Sequence, residues 1–130
     1  MRMEKAPLIL IVDDDDTLRD VLVEYFSGLG YAAMGAPDGR TALKMQARNP
    51  ADLVITDLIM PEENGLETII ELKRHDPHVK IIAMTGSGHI GSLEDLKTAS
   101  YLGAELTFAK PFQLEDLLRA VKELLQLPEA

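Results

Sequence analysis

Five side chains stand where short apolar runs of the sequence give way to polar residues: Asp13 and Asp14, Asp57, Thr85 and Lys110. Carboxylates brought together repel and raise one another's pKa unless a cation lies among them. Mg²⁺ suits such a cluster, because it takes oxygen ligands, keeps several waters and needs only one or two carboxylates besides phosphate oxygens. A lysine for the remaining charge and a hydroxyl to donate a hydrogen bond complete a set fit for phosphoryl transfer, whose catalysis is chiefly positioning and electrostatics. In that chemistry Asp57 is the nucleophile, Thr85 donates to one phosphoryl oxygen and Lys110 holds the remaining charge.

Each residue alone has an ordinary explanation. Asp13 to Asp16 read as a helix cap with first-turn acids, Asp57 as a loop-starting aspartate, Lys110 as a solvated cation and Thr85 as a β-former ending a strand. Those explanations require separate coincidences at four strand ends, whereas one site accounts for them together.

The elements that must bring these residues together follow from the hydrophobic pattern. Leu8 to Val12 is an unbroken branched apolar run, as a strand buried on both faces requires. Leu18, Val21, Leu22, Tyr25, Phe26 and Leu29 then recur at helical spacing, with Asp15 or Asp16 as cap and Gly28 and Gly30 as stop. Tyr31 to Met34 gives a second strand and Asp38 to Arg48 a second helix, ended by Asn49-Pro50. Leu53 to Asp57 is the third strand, and Asn64 caps a helix with Leu66, Ile69 and Ile70 on one face. Val79 to Met84 is the fourth strand, followed by a Gly86 to Gly91 loop and a helix around Leu93, Leu96 and Ala99 ending at Gly103. Leu106 to Ala109 closes the series, and Leu114, Leu117, Leu118, Val121, Leu124 and Leu125 make the apolar stripe of a last helix.

Five strand–helix units in alternation demand parallel pairing with right-handed crossovers and helices on both faces of an open sheet. Ligands of such α/β sheets bind beyond the carboxyl ends of the strands, which is where the five polar residues stand.

Composition narrows the functions. The chain has 130 residues, enough for one domain, and 22 acidic against 13 basic residues give a net charge of −9 with pI ≈ 4.7. Such an excess opposes contact with phosphate backbones or anionic membranes, so neither a nucleic acid nor a membrane is expected as a partner. The longest apolar run near the N-terminus is too short for a spanning helix or signal-peptide core. With no cysteine to form a disulfide or a thiolate metal site, the chain reads as soluble and cytoplasmic.

Three other patterns compete. Asp13-Asp14-Asp15-Asp16-Thr17 fits the DxDxT pattern of haloacid-dehalogenase-like phosphohydrolases, with Asp13 as nucleophile, but the later acidic pair is represented only by isolated Asp95 and Asp116. Gly86-Ser-Gly88-His-Ile-Gly91 matches GxGxxG, yet Glu105 precedes its strand instead of closing it, and only one strand–helix unit follows. His75, His78 and His89 lack ligand spacing, and Glu62 and Glu63 read as exposed turn acids.

Residues 7–127, carrying Ile9-Leu10-Ile11-Val12-Asp13-Asp14-Asp15, Asp52-Leu53-Val54-Ile55-Thr56-Asp57-Leu58-Ile59-Met60-Pro61 with Asn64-Gly65, Thr85, and Lys110-Pro111-Phe112, resemble a response-regulator receiver domain of two-component signalling. The resemblance implies a flavodoxin-like, doubly wound five-stranded parallel sheet of order 2-1-3-4-5, flanked by tails 1–6 and 128–130. It implies that Asp57 accepts a phosphoryl group from a histidine kinase or phosphotransfer protein. Asp14, Asp57 and the Ile59 carbonyl would bind Mg²⁺, with Asp13 acting through water, and the Lys110-Pro111 bond would be cis. The product is a switch with self-catalysed phosphotransfer and dephosphorylation, not a dedicated enzyme, that engages a downstream protein through its fourth helix, fifth strand and fifth helix. Two departures stand out. Thr107 occupies the position, three before the lysine, where the family usually has an aromatic switch residue, leaving a shift in register as the way for Phe108 to replace it. Ile59 stands where the family often has a polar residue, which makes the path of hydrolytic water more apolar. Only Pro128-Glu129-Ala130 follow the last expected helix, consistent with a stand-alone receiver or with one belonging to a longer regulator whose linker opens at Pro128.

Overall fold

The computed structural model describes residues 6–60, 63–86 and 92–125. Its main strands are β1 (Leu8–Val12), β2 (Ala32–Ala36), β3 (Leu53–Asp57), β4 (Lys80–Thr85) and β5 (Leu106–Ala109), separated or followed by α1 (Asp16–Gly28), α2 (Gly39–Arg48), α3 (Gly65–His75), α4 (Ser92–Leu102) and α5 (Leu114–Leu125). All neighbouring strands run parallel in the order β2-β1-β3-β4-β5, the expected doubly wound sheet. Between β3 and α3, Ile59–Met60 and Glu63–Asn64 form a small antiparallel ribbon that the hydrophobic pattern does not announce.

Alternation along the strands divides the core into two layers. Ile9, Ile11, Leu53, Ile55, Ile82 and Met84 face α1 and α5, whose Leu22, Phe26, Leu117 and Val121 are buried against them. Leu10, Val12, Val54, Ile81 and Ala83 face Ala42 of α2, Ile69 and Leu72 of α3, and Ala99 of α4.

Local chemistry sets the element ends. Asp15 is the cap of α1, its carboxylate accepting from the Leu18 amide at 3.1 Å. Asp38, expected inside the second helix, instead caps it by accepting from the Thr41 amide at 2.7 Å. β2 lies at 32–36 instead of 31–34, because Gly35 and Ala36 pair with Ile11 and Val12 through backbone groups that need no side-chain pattern. Likewise β4 runs 80–85 and takes in Thr85, which pairs with Ala109. Asn64 pairs with Ile59 in the ribbon, immediately before α3. Val21 and Ile70, each expected on a buried helix face, are exposed, because each sits a residue away from the buried position (Leu22, Ile69) and so about 100° around the helix. The Ser87–Gly91 part of the glycine-rich loop, with His89, lies outside the described residues, as do Glu62 and the tail residues 1–5 and 126–130.

Candidate functional site

The alternation that builds the α1/α5 layer also aims the chemistry. Ile9 and Ile11 of β1 followed by Asp13, Leu53, Ile55 and Asp57 of β3, and Leu106 and Phe108 of β5 followed by Lys110 are three rows of period two, each ending in a charged group at the carboxyl edge. They meet there. Lys110 Nζ donates to Asp13 Oδ2 at 2.9 Å and to Asp57 Oδ2 at 3.1 Å. Asp13 is fully buried and Asp57 is 5% exposed, so the ammonium sits between two carboxylates largely withdrawn from water.

The other carboxylate oxygens are held by backbone. Asp13 Oδ1 accepts from the Asp15 amide at 2.9 Å, and Asp57 Oδ1 accepts from the Ile59 amide at 3.2 Å. Asp14 is exposed, yet carboxylate oxygens of Asp13, Asp14 and Asp57 lie within 4.8 Å of one another. Burial pushes the Asp57 carboxyl above its ordinary pKa, and the nearby Asp13 charge adds to the rise, against the opposing pull of Lys110 and the Ile59 amide. Burial would lower the Lys110 pKa, but its bonds and charge attraction to Asp13 and Asp57 outweigh that and raise it.

Thr85 ends β4 from the opposite parity. Its backbone oxygen accepts from the Lys110 amide at 2.7 Å, which ties the carboxyl ends of β4 and β5. Its Oγ1 is buried and has no hydrogen-bond partner among the described residues. An unmatched buried hydroxyl is costly, and such exceptions are few in folded proteins. Three carboxylates against one ammonium leave a deficit of positive charge, and an all-oxygen donor set with an unengaged hydroxyl beside it fits a hard divalent cation and a phosphoryl group.

Ile59 is 37% exposed at the mouth of the site. The Lys110-Pro111 bond is cis. Thr107 pairs with Ala83, and Phe108 packs in the α1/α5 layer edge-on to Phe112 at 5.7 Å, so no register shift carries Phe108 into the position of Thr107. Asp116 pairs with Arg119 on α5 and Asp95 lies on α4, so neither belongs to the carboxylate cluster. His75 lies near Glu71 on exposed α3 surface.

Two supporting features escape a reading by residue type. A Cβ on Gly65 would fall 2.5 Å from Leu58 Cα and 2.6 Å from the Asp57 carbonyl oxygen, so α3 abuts the backbone of the nucleophile candidate through a glycine. Arg19 donates to the Asp13 carbonyl at 2.7 Å across Gly35 of β2. A glycine inside a strand is the sequence sign of such close approach.

Comparison with known proteins agrees with this geometry. The family described as response regulator receiver domain matches residues 9–122. Sporulation initiation phosphotransferase F of Bacillus subtilis (strain 168) is 36% identical over 119 residues, covering 92% of this chain and 94% of that protein. The DNA-binding transcriptional regulator NtrC of Azospirillum brasilense is 34% identical over 92% of this chain, which matches 24% of its length. Among solved structures, a CheY-like response regulator receiver domain protein from Methanospirillum hungatei JF-1 superposes with a TM-score of 0.87 at 27% identity, over 94% of this chain and 95% of that one.

Proposed function

Because the chain belongs to the response regulator receiver domain family, we propose that residues 7–127 form a phosphoacceptor in which Asp57 takes a phosphoryl group from a histidine kinase or phosphotransfer protein. One Asp57 carboxylate oxygen attacks phosphorus, the donor's P–N bond breaks, and the leaving imidazole takes a proton. Lys110 follows the developing negative charge on the phosphoryl oxygens, and the Thr85 hydroxyl donates to one of them. Asp13, Asp14, Asp57 and the Ile59 carbonyl would hold Mg²⁺, with Asp13 acting through a water, and the cation would supply charge neutralisation at those oxygens. Hydrolysis reverses the state: water attacks phosphorus, the Asp57–phosphorus bond breaks, and inorganic phosphate leaves. Ile59, exposed at the mouth, makes that water's approach more apolar.

The observation that carries the reading is the pairing of Lys110 with both Asp13 and Asp57 beside a buried Thr85 hydroxyl that lacks a partner. The proposed output face is the surface of α4, β5 and α5, and Tyr101 at the end of α4 is 90% exposed there. No helix among the described residues is long and apolar enough to cross a membrane, and with a net charge of −9 the reading is of a cytoplasmic switch whose partners are proteins.

Incubation with Mg²⁺ and acetyl phosphate or phosphoramidate, followed by intact-mass spectrometry, tests it. Wild type gains one phosphoryl group and Asp57→Asn gains none. An adduct that persists in Asp57→Asn and disappears in Asp13→Asn would transfer the nucleophile to Asp13 and favour a haloacid-dehalogenase-like hydrolase.

A further inference from the structure

Arg19 is the one long cation of α1 that turns back toward the site. Its side chain is only 16% exposed, and its two terminal nitrogens serve two ends of one corner. NH1 donates to the Asp13 carbonyl at 2.7 Å, and NH2 pairs with the Asp16 carboxylate at 2.6 Å. The stem lies flat on β2: a Cβ added to Gly35 would come within 3.0 Å of Arg19 Cγ and Cδ and 3.4 Å of Val23 Cγ2. Gly35 itself pairs with Ile11, and the Asp13 amide donates to the Ala36 carbonyl, so β2 grips the same corner from the other side.

From this geometry we infer that Arg19 is a positioning residue for the carboxylates, acting through the Asp13 backbone, with Gly35 as the cradle that lets it reach. Asp13 and Asp14 sit between the end of β1 and the start of α1, where no strand or helix ladder fixes the Asp13 carbonyl. A guanidinium bond to that carbonyl is charge-assisted and directional, and it sets the peptide plane that joins Asp13 to Asp14. The consequence is carried to both side chains: Asp13 Oδ1 stays on the Asp15 amide while Oδ2 stays on Lys110, and Asp14 is presented toward Asp57.

The inference rests on the pocket being a divalent-cation and phosphoryl site, and it makes a prediction opposite in sign to simple electrostatics. Deleting a positive charge near an acidic pocket would by Coulomb attraction alone tighten binding of a cation. Loss of positioning weakens it.

Isothermal titration of Mg²⁺ into the full chain distinguishes the two, using Arg19→Met, which keeps a stem without donors, Arg19→Lys, which keeps the charge on a single donor nitrogen, and Gly35→Ala, which keeps every donor and crowds the stem. The expected result is Mg²⁺ affinity weakened about tenfold in Arg19→Met, largely recovered in Arg19→Lys, and weakened by a smaller factor in Gly35→Ala. The Gly35→Ala effect disappears in an Arg19→Ala background, since the stem it crowds is gone and Val23 Cγ2, at 3.4 Å, is at ordinary contact distance. Without metal, the Asp15 amide should show faster exchange and an altered NMR shift in Arg19→Met and near-wild-type behaviour in Arg19→Lys. Unchanged or tighter Mg²⁺ binding in Arg19→Met, with thermal melts showing it folded, overturns the positioning role. If Arg19→Met does not fold, a Gly35→Ala protein with wild-type affinity and a wild-type Asp15 amide overturns it equally. Failure of the wild type itself to bind Mg²⁺ refutes the metal reading instead, and the metal-free Asp15 amide then still decides the role of Arg19.

Discussion

Replacing Lys110 with methionine keeps the stem and removes the ammonium that Asp13 and Asp57 share at 2.9 and 3.1 Å. Breaking a buried ion pair by removing one partner costs about 3–5 kcal/mol, because the remaining charge is left uncompensated. Here the cost has a ceiling set by pH. A stranded aspartate can take up a proton, and from an ordinary pKa of about 3.9 that costs about 4 kcal/mol at pH 7 but only about 1.5 kcal/mol at pH 5. One proton suffices, since it also removes the repulsion between the two carboxylates. The sign follows from the direction of the shift. In the variant the Asp57 carboxyl, already raised by burial, loses the opposing pull of Lys110, so the penalty is absent below the unfolded pKa and grows as pH rises from the unfolded towards the folded value. At a few degrees per kcal/mol for a domain of this size, Lys110→Met should melt about 10 °C below wild type at pH 7 and about 4 °C below it at pH 5. Calorimetry of both proteins without divalent cations measures the two gaps. A gap of equal size at the two pH values, or none at pH 7, would refute the claim that Lys110 neutralises a buried carboxylate pair.

Three further outcomes follow from the same site. Thr85→Val should raise the melting temperature by the equivalent of about 1 kcal/mol, because it replaces a partnerless buried hydroxyl by a methyl of the same shape, while slowing phosphorylation by acetyl phosphate; a destabilised variant would show that the hydroxyl is satisfied in the resting protein. Gly65→Ala must displace backbone that lies 2.5–2.8 Å from the new Cβ, and urea unfolding should register a loss of about 2 kcal/mol or more together with slower phosphorylation. Because burial raises the Asp57 pKa in the metal-free protein, its carboxylate form is lost at a higher pH than for an exposed aspartate; an NMR titration of its carboxyl carbon without divalent cations should place the midpoint above about 3.9, and a midpoint at or below that value contradicts the shift.

The site was legible because its residues lie at the carboxyl ends of short apolar runs that read as central parallel strands without a structure. Asp13, Asp57 and Lys110 share the parity of Ile11, Ile55 and Phe108, so once the sheet is parallel they must emerge on one side of its carboxyl edge. Features made of backbone were harder to see. Gly35 and Ala36 extend β2 through hydrogen bonds that leave no hydrophobic trace. The 59–60/63–64 ribbon carries no alternation long enough to read. Val21 and Ile70 show the limit of helical spacing: an apolar residue next to a buried one passes for part of the same face, although it points about 100° away. Arg19 and Gly65 touch backbone only a short stretch of chain away, the Asp13 carbonyl and Asp57–Leu58, and those contacts depend on the path of the chain between, which residue type does not announce.

Thr107 bears on how a change at Asp57 would travel. A large ring at that position could swing between two packings, but threonine has no such range, and the nearby Phe108 is packed edge-on against Phe112 in the opposite layer. What remains is a backbone route. The Lys110 amide donates to the Thr85 carbonyl at 2.7 Å, so the two residues that would grip a phosphoryl group are joined directly. If Thr85 moves to satisfy its hydroxyl and Lys110 moves with the phosphoryl charge, the ends of β4 and β5 shift as one unit. A ligand shifts an equilibrium only by its differential interaction with the two states, and here that difference lies in a hydroxyl without a partner and an ammonium shared by two carboxylates. The cost of the unpartnered hydroxyl is present in the resting protein, and a phosphoryl oxygen on Asp57 would relieve it while giving the ammonium a new anion to follow.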